Sequence, residues 1–176
     1  MGMGEASCGK GIMYVGLISD THGVFSDGFR KFLEPVDVIW HAGDFGGGID
    51  FARTIAAFKP VIGVCGNCDG QDIRFDYPQH RSFEAGGMKV LMTHIGGSPG
   101  HYDIRAHALI DNYKPDIFVC GHSHILKVMM DRQFNMMYIN PGAAGIQGWH
   151  LVRTALRFRI EGGEIKDMEV FELPRN

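Results

Sequence analysis

Five short stretches of the chain carry residue types that bind metal ions: Asp20-Thr-His22, His41-Ala-Gly-Asp44, Gly66-Asn67, Thr93-His94 and Gly121-His122-Ser-His124. Each follows directly on an apolar run. Carboxylate, amide and imidazole donors without thiolate suit divalent first-row cations, and affinity alone does not choose among those cations. Taken singly, each stretch has a plainer reading, since Asp and Gly are common in turns. Taken together, they deliver Asp20, His22, Asp44, Asn67, His94, His122 and His124 to the ends of successive predicted strands. That is where open α/β sheets place their functional edge.

Residues 61–70, VIGVCGNCDG, hold a competing chemistry. Cys65-Gly-Asn-Cys68 has the C-x-x-C spacing of redox dithiols and zinc knuckles. A thioredoxin-like pair sits at a helix N-terminus, whereas a Gly- and Asp-rich loop follows here. A zinc knuckle needs a second cysteine pair, which Cys8 and Cys120 do not supply. Cys65 closes an apolar run and is expected to pack as a small hydrophobe.

The elements that must position these groups read as alternating apolar and amphipathic runs. Residues 14–19, 36–40 and 60–65 are predicted strands. Helices are predicted between them over 25–33 and 49–58, where Phe25, Phe29, Phe32 and Leu33, then Phe51, Ile55 and Phe58, recur at helical spacing. This β-α-β-α-β order predicts a mostly parallel sheet with right-handed crossovers. Residues 81–85 and 89–93 flank Gly86-Gly87 as a hairpin, residues 102–113 are helical, and 116–120 form another buried strand. The chain finishes in consecutive strands over 127–132, 134–139, 151–160 and 165–173, with a turn at Gln133. That finish predicts two packed sheets with helices outside. Loops 69–79 and 95–103 read as irregular, and Met129, Met130, Met136 and Met137 are expected to pack within strands.

The 176 residues fit one domain over 12–176 after a flexible leader over 1–11. Hydrophobic content of 45% and charged content of 21% are ordinary for a soluble globular protein. A net charge of -3 with no basic face argues against a nucleic-acid partner. No apolar stretch approaches the ~18 residues of a membrane span, and no export signal is recognisable, so a cytoplasmic protein with four reduced cysteines is expected. Gly4-Glu-Ala-Ser-Cys-Gly9-Lys10 has the spacing of a phosphate-binding loop but lacks the Ser or Thr that should follow, as well as the flanking strand and helix.

In their order and spacing the five stretches, followed by Asn140-Pro-Gly142, resemble the calcineurin-like metallophosphoesterases over nearly the whole chain. The resemblance is to the small bacterial and archaeal phosphodiesterase branch in particular. It implies an α/β fold, a four-layer α/β/β/α sandwich of two mixed β-sheets, with two divalent metal ions at the strand ends. Mn²⁺ is the metal expected first, and Ni²⁺, Fe²⁺ and Zn²⁺ suit the same donors. By position, Asp20, His22, Asp44 and His124 would hold one ion. Asp44, Asn67, His94 and His122 would hold the other, with Asp44 bridging. In this pattern the Asn67 amide oxygen is the ligand, and sulfur is not. Asp69 and Asn140 would orient ligands through hydrogen bonds.

The activity implied is hydrolysis of a small phosphate ester, a phosphodiester first, by in-line attack of a hydroxide bridging the two metals, with no phospho-enzyme. Asp44, Asn67 and His94 would act through that hydroxide. Two divalent ions less two carboxylates leave about +2, enough to draw an anionic ester to a slightly acidic protein. One position departs from the pattern. Cys68 stands where much of the family has a His taken to protonate the leaving group. A thiol of pKa ~8.5 is a poorer acid near neutrality than an imidazole of ~6.5, which predicts dependence on good leaving groups such as aryl esters. His41 is expected to support the Asp44 loop. His80, His101, His107 and His150 read as loop, helix or strand-border residues. The same fold also serves as a scaffold subunit of the eukaryotic retromer, with a degraded ligand set. Competent residues at all seven ligand positions favour an enzyme over such an interaction subunit. A homo-oligomer is compatible with the sequence.

Overall fold

The computed structural model describes residues 11–176, so the expected leader and Cys8 lie outside the described residues, save for Gly11. Side chains of β1 (Met13–Ile18) alternate between two interiors. Tyr14 and Ile18 join Phe29, Leu33, Ile39 and Ile55. Val15 and Leu17 join Trp40, Val90, Val119 and Phe158. A strand buried on both faces has to lie between two layers, and the near-continuous apolar run of β1 reflects that position.

β1 is the centre of a five-stranded sheet ordered β12-β11-β1-β2-β3, formed with β2 (Val38–His41), β3 (Val61–Gly63), β11 (Val152–Glu161) and β12 (Glu164–Pro174). β1, β2 and β3 are parallel, while β11 runs antiparallel to both its neighbours. The second sheet comprises β4 (His80–Ala85), β5 (Met88–Thr93), β8 (Ile117–Val119), β9 (Leu126–Asp131) and β10 (Met136–Pro141), in the order β4-β5-β8-β10-β9. Its central strands β5, β8 and β10 are parallel. α1 (Asp27–Leu33) and α2 (Gly48–Phe58) cover the first sheet through Phe29, Leu33 and Ile55. α4 (Ile104–Tyr113) covers the second, setting Ala106 and Ile110 on Leu91, Phe118 and Met136. The result is the expected α/β/β/α sandwich.

Several local expectations are corrected. Residues 71–76, read as loop, form a short helix, α3 (Gln71–Asp76). The irregular stretch 95–103 contains a small ribbon of β6 (Gly97–Ser98) paired with β7 (His101–Tyr102). The third strand stops at Gly63, because the Val64 and Cys65 N–H groups turn to the carbonyls of His41 and Pro78. The turn at Gln133 is centred further on and uses Asn135 at a φ of 50°. Met136 is buried as expected, but Met129 and Met130 are 38% and 49% exposed because β9 is a sheet edge. No helix among the described residues is long and apolar enough to cross a membrane.

Candidate metal centre

Asp20, Asp44 and His94 follow β1, β2 and β5, and backbone bonds tie neighbouring strand ends together within each sheet. Asp20 N–H donates to the Gly43 carbonyl at 2.9 Å, His22 N–H to the Asp44 carbonyl at 3.2 Å, and Gly121 N–H to the His94 carbonyl at 3.0 Å. Across the sheets, His122 N–H donates to Asp20 Oδ2 at 3.1 Å and Gly145 N–H to the Asp20 carbonyl at 3.0 Å, so the rim of both sheets is one surface. Asp20, His22, Asp44, His122 and His124 all have positive φ, between 45° and 69°. Only Lys114, Asn135 and Asp167 share that conformation among the other described non-glycine residues. Left-handed backbone costs an L-residue ~1–2 kcal/mol, and such strain concentrates where function requires a side chain to be aimed. Gly66 makes the approach possible at one point, since a Cβ there would overlap the carboxylate and backbone N of Asp44.

The Asp20 and Asp44 carboxylates are buried and face three imidazoles. Asp20 Oδ1 lies 3.1 Å from His124 Nε2 and 3.8 Å from the Nε2 atoms of His22 and His94. Asp44 Oδ2 lies 3.2 Å from His94 Nε2 and 3.8 Å from His22 Nε2. Burial works to raise the Asp20 pKa, but the imidazoles of His124, His22 and His94 and the Ser19 hydroxyl hold it well below the usual carboxylate range. Asp44 is lowered in the same way, with burial opposed by His94 and by the Cys68 N–H, which donates to Oδ1 at 2.8 Å. Asp20 raises His22 despite its burial. Burial of His94 is likewise outweighed by Asp44 and Asp20, which raise its pKa.

Hydrogen bonding specifies which ring nitrogens carry lone pairs. A carbonyl only accepts, so His94 Nδ1–H donates to Ala42 O at 2.7 Å and leaves its Nε2 lone pair facing the carboxylates. That buried Nε2 has no hydrogen-bond partner. His150 Nε2–H donates to Gly145 O at 2.8 Å, so its Nδ1 accepts from His124 Nδ1–H at 3.2 Å, while His124 Nε2–H donates to Asp20 Oδ1 at 3.1 Å, where a cation would displace the proton. A buried imidazole nitrogen without a hydrogen-bond partner, set against two carboxylates as His94 Nε2 is, is the arrangement a cation relieves. Asp20 with His22 and His124, and Asp20 with Asp44 and His94, each offer ligand atoms within 4.8 Å of one another. The residues fit a divalent metal.

Asn67 and His122 lie on the exposed rim, the latter with its ring centroid 5.3 Å from that of His94. Cys65 is buried, but the Cys68 thiol groups with His22 and Asp44 at metal-ligand spacing, because its own N–H is tied to Asp44. Around the centre, His41 accepts from Gly43 N–H at 3.2 Å and donates from Nε2 to Thr21 Oγ1 at 3.0 Å. Asp69 gathers the N–H groups of Gly66, Phe45 and Gly46, joining the Asn67 and Asp44 loops. The Asn140 amide donates to Gly121 O and Ser123 Oγ, both at 3.0 Å, bracing the His122–His124 loop. Two further residues escaped the sequence reading. His150, read as a strand-border residue, orients His124, and Ser19 donates to Asp20 Oδ2 at 2.6 Å. The adjacency of Ser19 to Asp20 was a usable signal; nothing in the irregular stretch around His150 was.

No curated protein sequence matches the chain significantly. Among solved structures, a Thermotoga maritima protein determined by NMR is 24% identical with a TM-score of 0.69, covering 92% of this chain and 99% of its own. A predicted phosphoesterase of Streptococcus pneumoniae is 20% identical with a TM-score of 0.62, covering 94% and 91%. Vps29 of Entamoeba histolytica in complex with Zn²⁺ is 17% identical with a TM-score of 0.64, covering 93% and 100%. At these identities the likeness is one of fold. The sequence model of the calcineurin-like phosphoesterase superfamily domain matches residues 13–163, which contain all five stretches of candidate metal ligands. On that match the chain belongs to the calcineurin-like phosphoesterase superfamily.

Proposed function

We propose that the protein is a cytoplasmic metal-dependent phosphodiesterase. Asp20, His22, Asp44 and His124 hold one divalent cation, and Asp44, Asn67, His94 and His122 hold a second. The observation carrying this reading is the buried Asp20–Asp44 pair, whose ion-pair partners among the described residues are imidazoles alone. Bound there, Mn²⁺ or a similar cation supplies an activated water and stabilises charge on the transferring phosphoryl group. The Zn²⁺ bound by Entamoeba Vps29 suits the same donors. Asp44 is the carboxylate between the two ligand sets, and the Cys68 N–H fixes its Oδ1. Ala42 and His150 hold the His94 and His124 rings in the tautomer that presents Nε2.

Two clefts support a diester over a monoester. One of about 320 Å³ opens beside Asn67 and His94, and one of about 450 Å³ beside His122. A diester has two organic arms to place. The Cys68 thiol is raised by burial and by Asp44, so it stays protonated at neutral pH as a weak acid, which agrees with a need for good leaving groups. A scaffold reading is favoured by one observation, the apolar side chains at 146–152, where Trp149 is 98% and Leu151 82% exposed.

The deciding experiment removes metal, restores Mn²⁺, Ni²⁺, Zn²⁺ or Mg²⁺ singly, and assays bis-aryl, mono-aryl and alkyl phosphates. The expected result is metal-dependent hydrolysis of the bis-aryl ester above the others. Asp44→Asn should lower it at least ~10³-fold, several kcal/mol of transition-state charge stabilisation. No hydrolysis with any of the four ions would return the scaffold reading.

A further inference from the structure

We infer that the cleft beside Asn67 and His94 is a subsite for a second anionic group, a phosphate carried on one arm of the ester, bound by Arg105 and Arg74. The inference rests on the phosphodiesterase reading of the adjoining centre. Arg74, on α3, donates from Nε to Asp69 O at 2.9 Å and from one Nη to Gly66 O at 3.0 Å, with its other Nη 3.8 Å from Cys65 Sγ. Three of the five guanidinium N–H groups are thus spent on uncharged partners, and two remain. The charge is held in place without being neutralised. Arg105 is exposed on the first turn of α4. Arginine ion pairs among the described residues involve Arg53, Arg157 and Arg159, and neither cleft arginine.

Asp103 is the carboxylate that lines this cleft, and it is occupied in accepting the backbone N–H groups of Arg105 and Ala106. Two guanidinium groups against one carboxylate leave the cleft net positive before any metal is counted. Guanidinium forks match phosphate oxygens in pairs, which a lone ammonium does not. The neighbouring cleft differs in character: Tyr102, Ile125 and Tyr138 line it, and its one cationic side chain of the Lys or Arg type, Lys127, is matched by Asp103. The two arms of the ester are therefore distinguished by a net positive cleft on one side and a charge-balanced cleft with aromatic and aliphatic lining on the other.

The test compares thymidine 5′-monophosphate, thymidine 5′-diphosphate and thymidine 3′,5′-bisphosphate by calorimetry on Mn²⁺-loaded protein. A parallel assay follows hydrolysis of p-nitrophenyl thymidine 5′-phosphate with and without a 3′-phosphate. At least one doubly phosphorylated nucleotide should bind roughly tenfold tighter than the monophosphate, the scale of one charge-assisted hydrogen-bonded pair. Arg105→Ala should abolish that ratio and Arg105→Glu should invert it. Both variants keep the backbone N–H groups that Asp103 caps. Equal affinity for all three nucleotides, or a ratio unchanged in Arg105→Glu, overturns the subsite even where both esters are hydrolysed. Loss of hydrolysis with the binding ratio intact overturns the phosphodiesterase reading and leaves the subsite standing.

Discussion

His124 is held by a relay of imidazoles, Gly145 O to His150 to His124, and its usefulness as a ligand depends on that relay. Removing the His150 acceptor frees the His124 Nδ1 proton and lets the ring rotate away from Asp20. His150→Ala should weaken Mn²⁺ or Zn²⁺ binding by ~10–100-fold, the usual cost of losing a ligand's hydrogen-bond partner. His150 is only part-buried, so the melting temperature of the metal-free protein should scarcely move. His150→Gln, which keeps an acceptor, should recover part of the affinity. A titration showing wild-type affinity in His150→Ala would mean that packing alone orients His124. At this scale Asp20, His22, Asp44 and His94 were legible because each closes an apolar run. His150 was not, because its role arises from a fold-back across 26 residues.

Loops after strands, more than the strands themselves, shape the centre. The loop after β3 carries Asn67 and Cys68 against Asp44, with Asp69 and Arg74 tying it down. Gly66 is its closest approach, and a methyl group there displaces the carboxylate it should leave free. Gly66→Ala should cost roughly 1–3 kcal/mol in urea unfolding, as overpacking does, together with measurable loss of metal affinity. An unchanged unfolding midpoint would show that the loop yields freely. α3 and the β6–β7 ribbon were missed because elements of six and two residues are too short for a periodic pattern to register.

The molecule as a whole buries a neutral histidine at the sheet junction. His41 stacks on Phe45 at 3.7 Å, and burial pushes its pKa down to about 3 from 6.5. Between those values the unfolded chain takes up a proton that the folded protein refuses, so stability falls as pH falls, by at most ~1.4 kcal/mol per pH unit. The part-buried His150 is lowered too and adds in the same direction. His22 and His94, whose pKa values are raised, act above 6.5 instead and make the metal-free protein lose stability as pH rises. Metal-free protein should therefore be most stable near pH 6.5. His41→Gln should flatten the acid side, read by urea unfolding at pH 4.5 and 6.5. Equal slopes in the variant and the wild type would place the acid sensitivity elsewhere.

The amino-acid sequence by itself determined the layered α/β class and the places where candidate metal ligands interrupt apolar runs. Both are local properties: β1 is apolar at successive positions because both its faces are covered, and Asp20, itself buried, follows where the strand ends. Tertiary structure alone decided how the last four strands divide, β9 and β10 to one sheet and β11 and β12 to the other. It also brought the Cys68 thiol beside His22 and Asp44, aimed His150 at His124, and set Arg74 and Arg105 on one cleft. Those relations join residues that are remote along the chain, and a linear pattern carries no term for which distant surfaces meet.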